Sequence, residues 1–384
     1  MLEIPLKNPK PDFDNFIQIL NGLEKNIKVI FAELLIDEEI KKFIIENYFN
    51  EKNFSPPITM WRGEDINKFN AKEKKEAYEK YYKNIINFYY RMGYSLFPDM
   101  NFIINFDALN TIVLETADTS NLTKGKRYWA VEGDGIIRSW EDFEKFPWRA
   151  AEKLIIEYES NLNFIKKILP DGMKVGVVAS IFEEVLEWIL GFNGLFYMIF
   201  DNLELVKAIF NRVGKIMYDF YIATVPNDVI GCIWHADDFG FKSGSIISIE
   251  HLNIFLFPWL KKYSSIAHKY GKPFYLHSCG YKNERVMEIL VNDISIDAIH
   301  GFEDASYPVI KTKEVWGNKI GIIGGLDMDK LVRLDEKKLR QYIKNTLNIC
   351  MENGRYICGS GNSICNYIPI KNYLIMLDEG VKWQ

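Results

Sequence analysis

Apolar residues fall into short runs that recur along the whole chain. They are IKVIFAELL (27–35), NFIINF (101–106), KVGVVAS (174–180), DVIGCIWHA (228–236), KPFYLHS (272–278), IDAIH (296–300), KIGIIGG (319–325) and RYICGS (355–360). Each is rich in β-branched and aromatic residues and short enough to be a buried strand. Between many of them the apolar spacing changes to that of a helix. LELVKAIFNRVGKIMYDFYIATV (203–225), NIFLFPWLKKYSSIAHKYG (253–271) and DEKKLRQYIKNTLNICMENG (335–354) predict helices, the last opening on an Asp cap and the last two closing on glycine. About eight strands alternating with helices predict an α/β fold, the (β/α)8 TIM barrel, for which about 250 residues is typical. The surplus falls mainly within residues 1–170. There, 78–100 predicts a long aromatic helix, 1–27 an N-terminal extension, and about 110–150 an inserted loop or hairpin rich in turn residues. No internal repeat or low-complexity linker interrupts the pattern, so residues 1–384 are expected to form one barrel domain.

Composition narrows the class. At 384 residues and 48% hydrophobic, the chain can bury a large core. A net charge of -5 gives no basis for nucleic-acid binding, and lysine-rich KEKK (72–75) sits among glutamates as a solvated helix face. Charges break the longest apolar runs well before membrane-spanning length. The five cysteines are odd in number, and the polar, proline-containing N-terminus has no secretory pattern. Reduced thiols and a cytoplasmic location are therefore expected.

In such barrels, active sites lie at the C-terminal ends of the strands. The polar residues closing each run are therefore the candidates. Glu33 closes the first and Asp107 the second. WHADDFG offers His235, Asp237 and Asp238, HSCG offers His277 and Cys279, HGFED offers His300, Glu303 and Asp304, and CGSGNSIC closes the last. His277 and Cys279 are two apart, so on a strand they point to one face and can reach one ion, and nitrogen plus thiolate suits zinc. The pair equally fits an ordinary strand end with a small core cysteine. A third ligand would come from Cys358, Cys365, Glu303 or His300. Asp237 and Asp238 are adjacent and face opposite ways, so one of them faces the site, to orient substrate or carry a proton, or else caps a helix. Glycine-rich CGSGNSI matches no nucleotide fingerprint. It turns the chain into the last helix and leaves Asn362 and Ser363, with His235, as candidate cofactor-binding residues.

Three segments together resemble the uroporphyrinogen decarboxylase superfamily, which includes cobalamin-dependent methyltransferases. They are WHADDFG through HSCG (234–280), IDAIHGFEDASYPVIKTKEVWGNKIGIIGGLDMDKLV (296–332) and GRYICGSGNSICNYIPIKNYLIMLDEG (354–380). The resemblance is clearest from about residue 128 onward, and the superfamily fold is a (β/α)8 barrel. It implies that His277 and Cys279 are zinc ligands. Asn362 stands where a later cysteine ligand is expected, with Cys358 or Glu303 as its substitute. The resemblance implies a corrinoid-linked, zinc-dependent methyltransferase, in which zinc activates a thiol acceptor or a small methyl donor. Its partners would be a small-molecule substrate, a corrinoid protein and a second copy of the chain. Asp237 or Asp238 would position substrate, with Glu303 and Asp107 as further catalytic candidates.

The alternative is tetrapyrrole decarboxylation without a cofactor, with Asp107 or Asp237 as the acid. The N-terminal arginine motif of the decarboxylases is absent, and ITMWRGED (58–65) is the nearest stretch. Only ten of 47 basic residues are arginine, although arginine suits a polycarboxylate best. A non-catalytic barrel that binds a corrinoid or tetrapyrrole is the third reading.

Overall fold

The computed structural model of the chain describes residues 4–24, 28–55, 70–107, 113–118, 120, 122, 126–130, 133, 135–280 and 282–383. ITMWRGED lies outside them. The strands are β1 (Leu96–Asp99), β2 (Val113–Ala117), β3 (Lys126–Ala130), β4 (Lys174–Val177), β5 (Ile230–Ala236), β6 (Gly240–Phe241), β7 (Gly244–Ser245), β8 (Phe274–His277), β9 (Ala298–His300), β10 (Gly321–Ile323) and β11 (Tyr356–Ile357). Seven of them form one sheet in the order β1-β4-β5-β8-β9-β10-β11, and every pairing in it is parallel. Residues 30–36 run parallel beside β11. Ala32 N–H donates to Cys358 O at 2.9 Å and Cys358 N–H to Ile30 O at 2.8 Å. This segment is the eighth stave of the barrel and the first in sequence. Parallel neighbours need crossovers, and helices supply them between the staves.

Alternation along the staves separates two cores. Ala32, Leu34, Leu96, Val178, Trp234, Tyr275, Ala298, Ile323 and Ile357 meet in the barrel interior. Their neighbours, among them Phe31, Phe97, Ile233, Phe274, Ile299 and Ile322, pack outward against the helices. The N-terminal extension closes the floor. Asp12 accepts from Asn15 N–H and starts the helix Phe13–Leu20. Its apolar face puts Phe13, Phe16, Ile19 and Leu20 into the interior cluster. The inserted region contains the antiparallel hairpin β2–β3. KEKK lies on the helix Ala71–Arg91, where all but Lys74 are exposed.

One expected strand is a helix. NFIINF forms the helix Asn101–Asp107, and the stave is the preceding LFPD. Asp99 Oδ1 accepts from Asn101 N–H at 3.0 Å and turns the chain at this point. The helix is buried on nearly all sides, which hides its periodicity. Asp107 therefore ends a helix, not a strand.

Glu33 joins the first and last staves. It faces away from the interior and accepts from both Ser360 N–H, at 2.8 Å, and Ser360 Oγ–H. Burial pushes its carboxyl up from 4.5 to about 8, against the pull of the Ser360 bonds.

Truncating the floor should be costly: Phe16→Ala is expected to lose about 3–5 kcal/mol in denaturant unfolding, because the side chain is fully buried. Glu33 stays protonated in the fold at pH values where the unfolded chain ionises it. Its stabilisation is complete below pH 4.5 and is lost as pH rises toward about 8. Glu33→Gln should therefore lose roughly 3 kcal/mol less than the native chain between about pH 5 and pH 8, read from denaturant midpoints.

Candidate functional site

The alternation that fills the barrel also selects which polar residues reach its mouth. On β8, Tyr275 points inward, so His277 and Cys279 continue that face. On β5, Trp234 and Ala236 point inward, so Asp238 follows them. Among the described residues, Asp238, His277 and Cys279 form a group of metal-ligating type, with ligand atoms within 4.8 Å of one another. His277 Nε2 lies 3.4 Å from Cys279 Sγ and 3.5 Å from Asp238 Oδ1. Tetrahedral zinc with bonds of about 2.0–2.3 Å would separate such ligands by about 3.4–3.6 Å, so both separations from His277 fit that ion. Cys279 N–H donates to Asp238 Oδ1 at 2.5 Å and ties the two loops together.

The other candidates are distributed around this trio. Asn362 Nδ2–H donates to Cys279 Sγ at 3.0 Å, and Ser363 Oγ–H donates to Asn362 Oδ1 at 2.9 Å. Ser363 thus orients the amide that touches the sulfur. His300 is not a third ligand, because its Nδ1 bonds His277 Nδ1 at 2.8 Å and its Nε2 bonds Ser360 O at 3.1 Å. Gly324, at φ +78°, makes room for this arrangement: a Cβ there would stand 2.2 Å from Ser360 O and 2.8 Å from His300 Nε2. Glu303 closes a turn with Tyr307 and accepts from Ser306 Oγ–H at 3.0 Å. Asp304 bonds Tyr342 and, through its backbone, Asp327.

Three expected site residues point away from the mouth. Cys358 lies on the outward face with Tyr356, while Ile357 between them faces in. It brings no second sulfur to the group, and Asp238 occupies the third position instead. Asp237 faces outward and accepts from Ile181 and Phe182 N–H at 2.9 and 2.6 Å, which fixes the turn after β4. His235 is buried beneath it, with Nε2 2.7 Å from Asp237 and Nδ1 2.8 Å from the Tyr221 hydroxyl. That places it in the helix layer, away from any cofactor in the mouth.

Burial sets the charge state of the centre. It lowers His277 to about 3, with Lys282 adding to the effect, so the ring is neutral near pH 7. It raises Cys279, as does the charge of Asp238, so without a cation the group is a thiol. His300 is held far below its ordinary range by burial and by His277.

Lys282 and the acid pair Glu183–Glu184 also belong here, although the sequence pattern did not single them out. Lys282 Nζ donates to Ser278 O at 2.6 Å and Gly280 O at 2.9 Å, clamping the Cys279 loop. Burial lowers it to about 8. Glu184 bonds Ser180 and pairs with Asp107, which burial raises to about 6. Burial raises Glu183 as well, and Asp238 is the largest of the charges that add to it. An acid pair three residues beyond the β4 run was the available signal, and a lysine three residues past Cys279 was the other.

The fold and this site define a parallel-barrel protein whose reactive side chains gather at the C-terminal ends of the strands, the position of enzyme active sites in such barrels. Residues 163–383, more than half of the chain, match the model of the family described as uroporphyrinogen decarboxylase, and the chain belongs to that family. Among solved structures, a methyltransferase from Methanosarcina mazei is similar at 13% identity with a TM-score of 0.62, covering 96% of this chain and 97% of that one. At that identity the likeness is one of fold. A putative vitamin-B12 independent methionine synthase from Listeria monocytogenes aligns at 15% identity with a TM-score of 0.48, over 92% of this chain and 95% of that one. No curated protein matches by sequence. No helix among the described residues is long and apolar enough to cross a membrane.

Gly324→Ala should disturb the centre from behind. The left-handed backbone alone costs about 1–2 kcal/mol, and the contacts with Ser360 O and His300 add to it. Denaturant unfolding is expected to show a loss at or above that figure.

Proposed function

We propose that this chain is a zinc-dependent methyltransferase acting on a small methyl donor or thiol acceptor, with the methyl group carried by the corrinoid of a partner protein. The convergence of Asp238, His277 and Cys279 at zinc-ligand spacings is the observation that carries this reading. When bound, zinc would act as a Lewis acid toward the donor or lower the pKa of a thiol acceptor, using the position that three protein ligands leave open. The chain's own groups prepare the site. His277 is already neutral. Cys279 would give up its proton as the ion binds, and Asn362 would donate to the resulting thiolate and hold it in place. Asp238 would fix the Cys279 loop through its backbone bond while serving as the oxygen ligand.

Side-chain type favours methyl transfer over tetrapyrrole decarboxylation. The groups gathered near the mouth are mostly carboxyls, Asp107, Glu183, Glu184 and Asp238, with Lys282 beside them, whereas a polycarboxylate substrate would need several cations. The likeness in fold to a methyltransferase over nearly its full length supports the same reading. None of the five cysteines is in a disulfide, and the location proposed with this reading is the cytoplasm.

Zinc analysis of the purified, reduced chain tests the proposal. The native protein should hold stoichiometric zinc, and Cys279→Ser and Asp238→Ala should lose it. Because Cys279 must deprotonate, affinity should rise about tenfold per pH unit near neutrality. A native chain that takes up no zinc from a supplied excess would sink the metal mechanism. Methyl transfer from methylcobalamin to a panel of thiols is expected with the loaded protein, whereas conversion of uroporphyrinogen to coproporphyrinogen would establish the decarboxylase instead.

A further inference from the structure

We propose that His300 is the positioning residue of this centre: by accepting a hydrogen bond from His277 Nδ1–H, it leaves His277 Nε2 bare toward Cys279 and Asp238. This rests on the metal reading above and adds the device that prepares its nitrogen ligand.

Hydrogen-bond directions fix the assignment. The Ser360 carbonyl can only accept, so His300 Nε2, 3.1 Å away, must carry a hydrogen. His300 is completely buried, and neither of its hydrogen bonds goes to a carboxylate. A neutral ring has one N–H, so His300 Nδ1 presents a lone pair. His277 Nδ1, 2.8 Å from it, must then be the donor. The remaining His277 nitrogen, Nε2, carries the lone pair that points between Cys279 Sγ and Asp238 Oδ1. A metal ligand needs that form, and outer-shell partners are known to select it.

The chain of bonds is anchored at its far end. Ser360 is held by Glu33 through both its N–H and its hydroxyl. Trp234 stands edge-on to the His300 ring at 5.4 Å, and Gly324 faces the ring's Nε2 edge. Contacts from the staves on both sides of β9 thus hold the imidazole in one orientation.

Two substitutions separate positioning from simple space-filling. His300→Gln can copy both bonds, its carbonyl accepting from His277 and its amide donating to Ser360. His300→Phe fills the volume and makes neither. The chain has five histidines, so nitrogen-15 histidine spectra of the metal-free protein, assigned by single substitutions, can report the state of His277 directly. Native protein and His300→Gln should both show the Nδ1–H form, and His300→Phe should shift toward Nε2–H. Zinc affinity, measured by chelator competition, should fall about 10- to 100-fold in His300→Phe and stay near native in His300→Gln.

The proposal is overturned if His277 keeps the Nδ1–H form in a folded His300→Phe variant, or if that variant binds zinc as tightly as the native chain. Should His300→Phe fail to fold, the native spectrum alone decides, and an Nε2–H form at His277 there overturns it. A native chain that shows the Nδ1–H form, loses it in His300→Phe and yet binds no zinc would retain the role of His300 while removing the metal reading.

Discussion

Everything at the barrel mouth depends on the two-residue alternation of side chains along the staves. An interior filled by Trp234, Ala236 and Tyr275 admits one register for β5 and β8, because a one-residue slip would send these side chains into the helix layer. The same register carries Asp238, His277 and Cys279 inward and turns His235, Asp237 and Cys358 outward. The apolar packing of the barrel and the convergence of its polar ligands are thus one constraint seen at two depths. The floor helix Phe13–Leu20 belongs to that constraint, since it fills the end of the interior that the short staves leave open.

Low dielectric then governs what the mouth can do. Burial keeps His277 neutral, keeps Cys279 a thiol, and raises Glu183, Glu184 and Asp107. A lone thiolate in this setting would be costly, because it would sit buried beside Asp238, and the Lys282 ammonium offsets that only in part. A divalent cation removes that cost by balancing one thiolate and one carboxylate together. On the proposed reading, Cys279 would stay a thiol until an ion arrives and would give up its proton as the ion binds.

Much of the fold was legible in the sequence, because buried parallel strands leave short apolar runs and the crossovers leave helical periodicity. The second stave was misplaced because NFIINF is apolar on nearly every side, so its helical period is invisible and its β-branched and aromatic content suggests a strand. His277 and Cys279 could be singled out because two-residue spacing places them on one face. Asp238 could be paired with Asp237 but not preferred over it as the inward residue, since that choice needs the register of β5. Cys358 looked a suitable ligand by residue type alone; its outward face is decided by which neighbour fills the interior. Lys282, Glu183 and Glu184 escaped because charged residues in sequence usually mark solvated surface, and the folded barrel shows Lys282 and Glu184 buried and Glu183 half-buried.

On the proposed reading, Asn362 would change the chemistry of the site without dismantling it. Where the family resemblance expects a second sulfur, this chain has an amide that touches the remaining sulfur as a donor. On that reading Asp238 would supply the other negative charge, so the charge balance with a divalent ion would be the same as for two thiolates. The electronic character differs. A carboxylate oxygen is a harder and weaker electron donor than sulfur, and an N–H bond to the remaining thiolate draws density from it. Both changes leave a bound zinc ion more electron-poor, which strengthens it as a Lewis acid and makes a thiolate bound to it a poorer nucleophile. On the proposed reading, this weighs toward activation of a methyl donor over activation of a thiol acceptor.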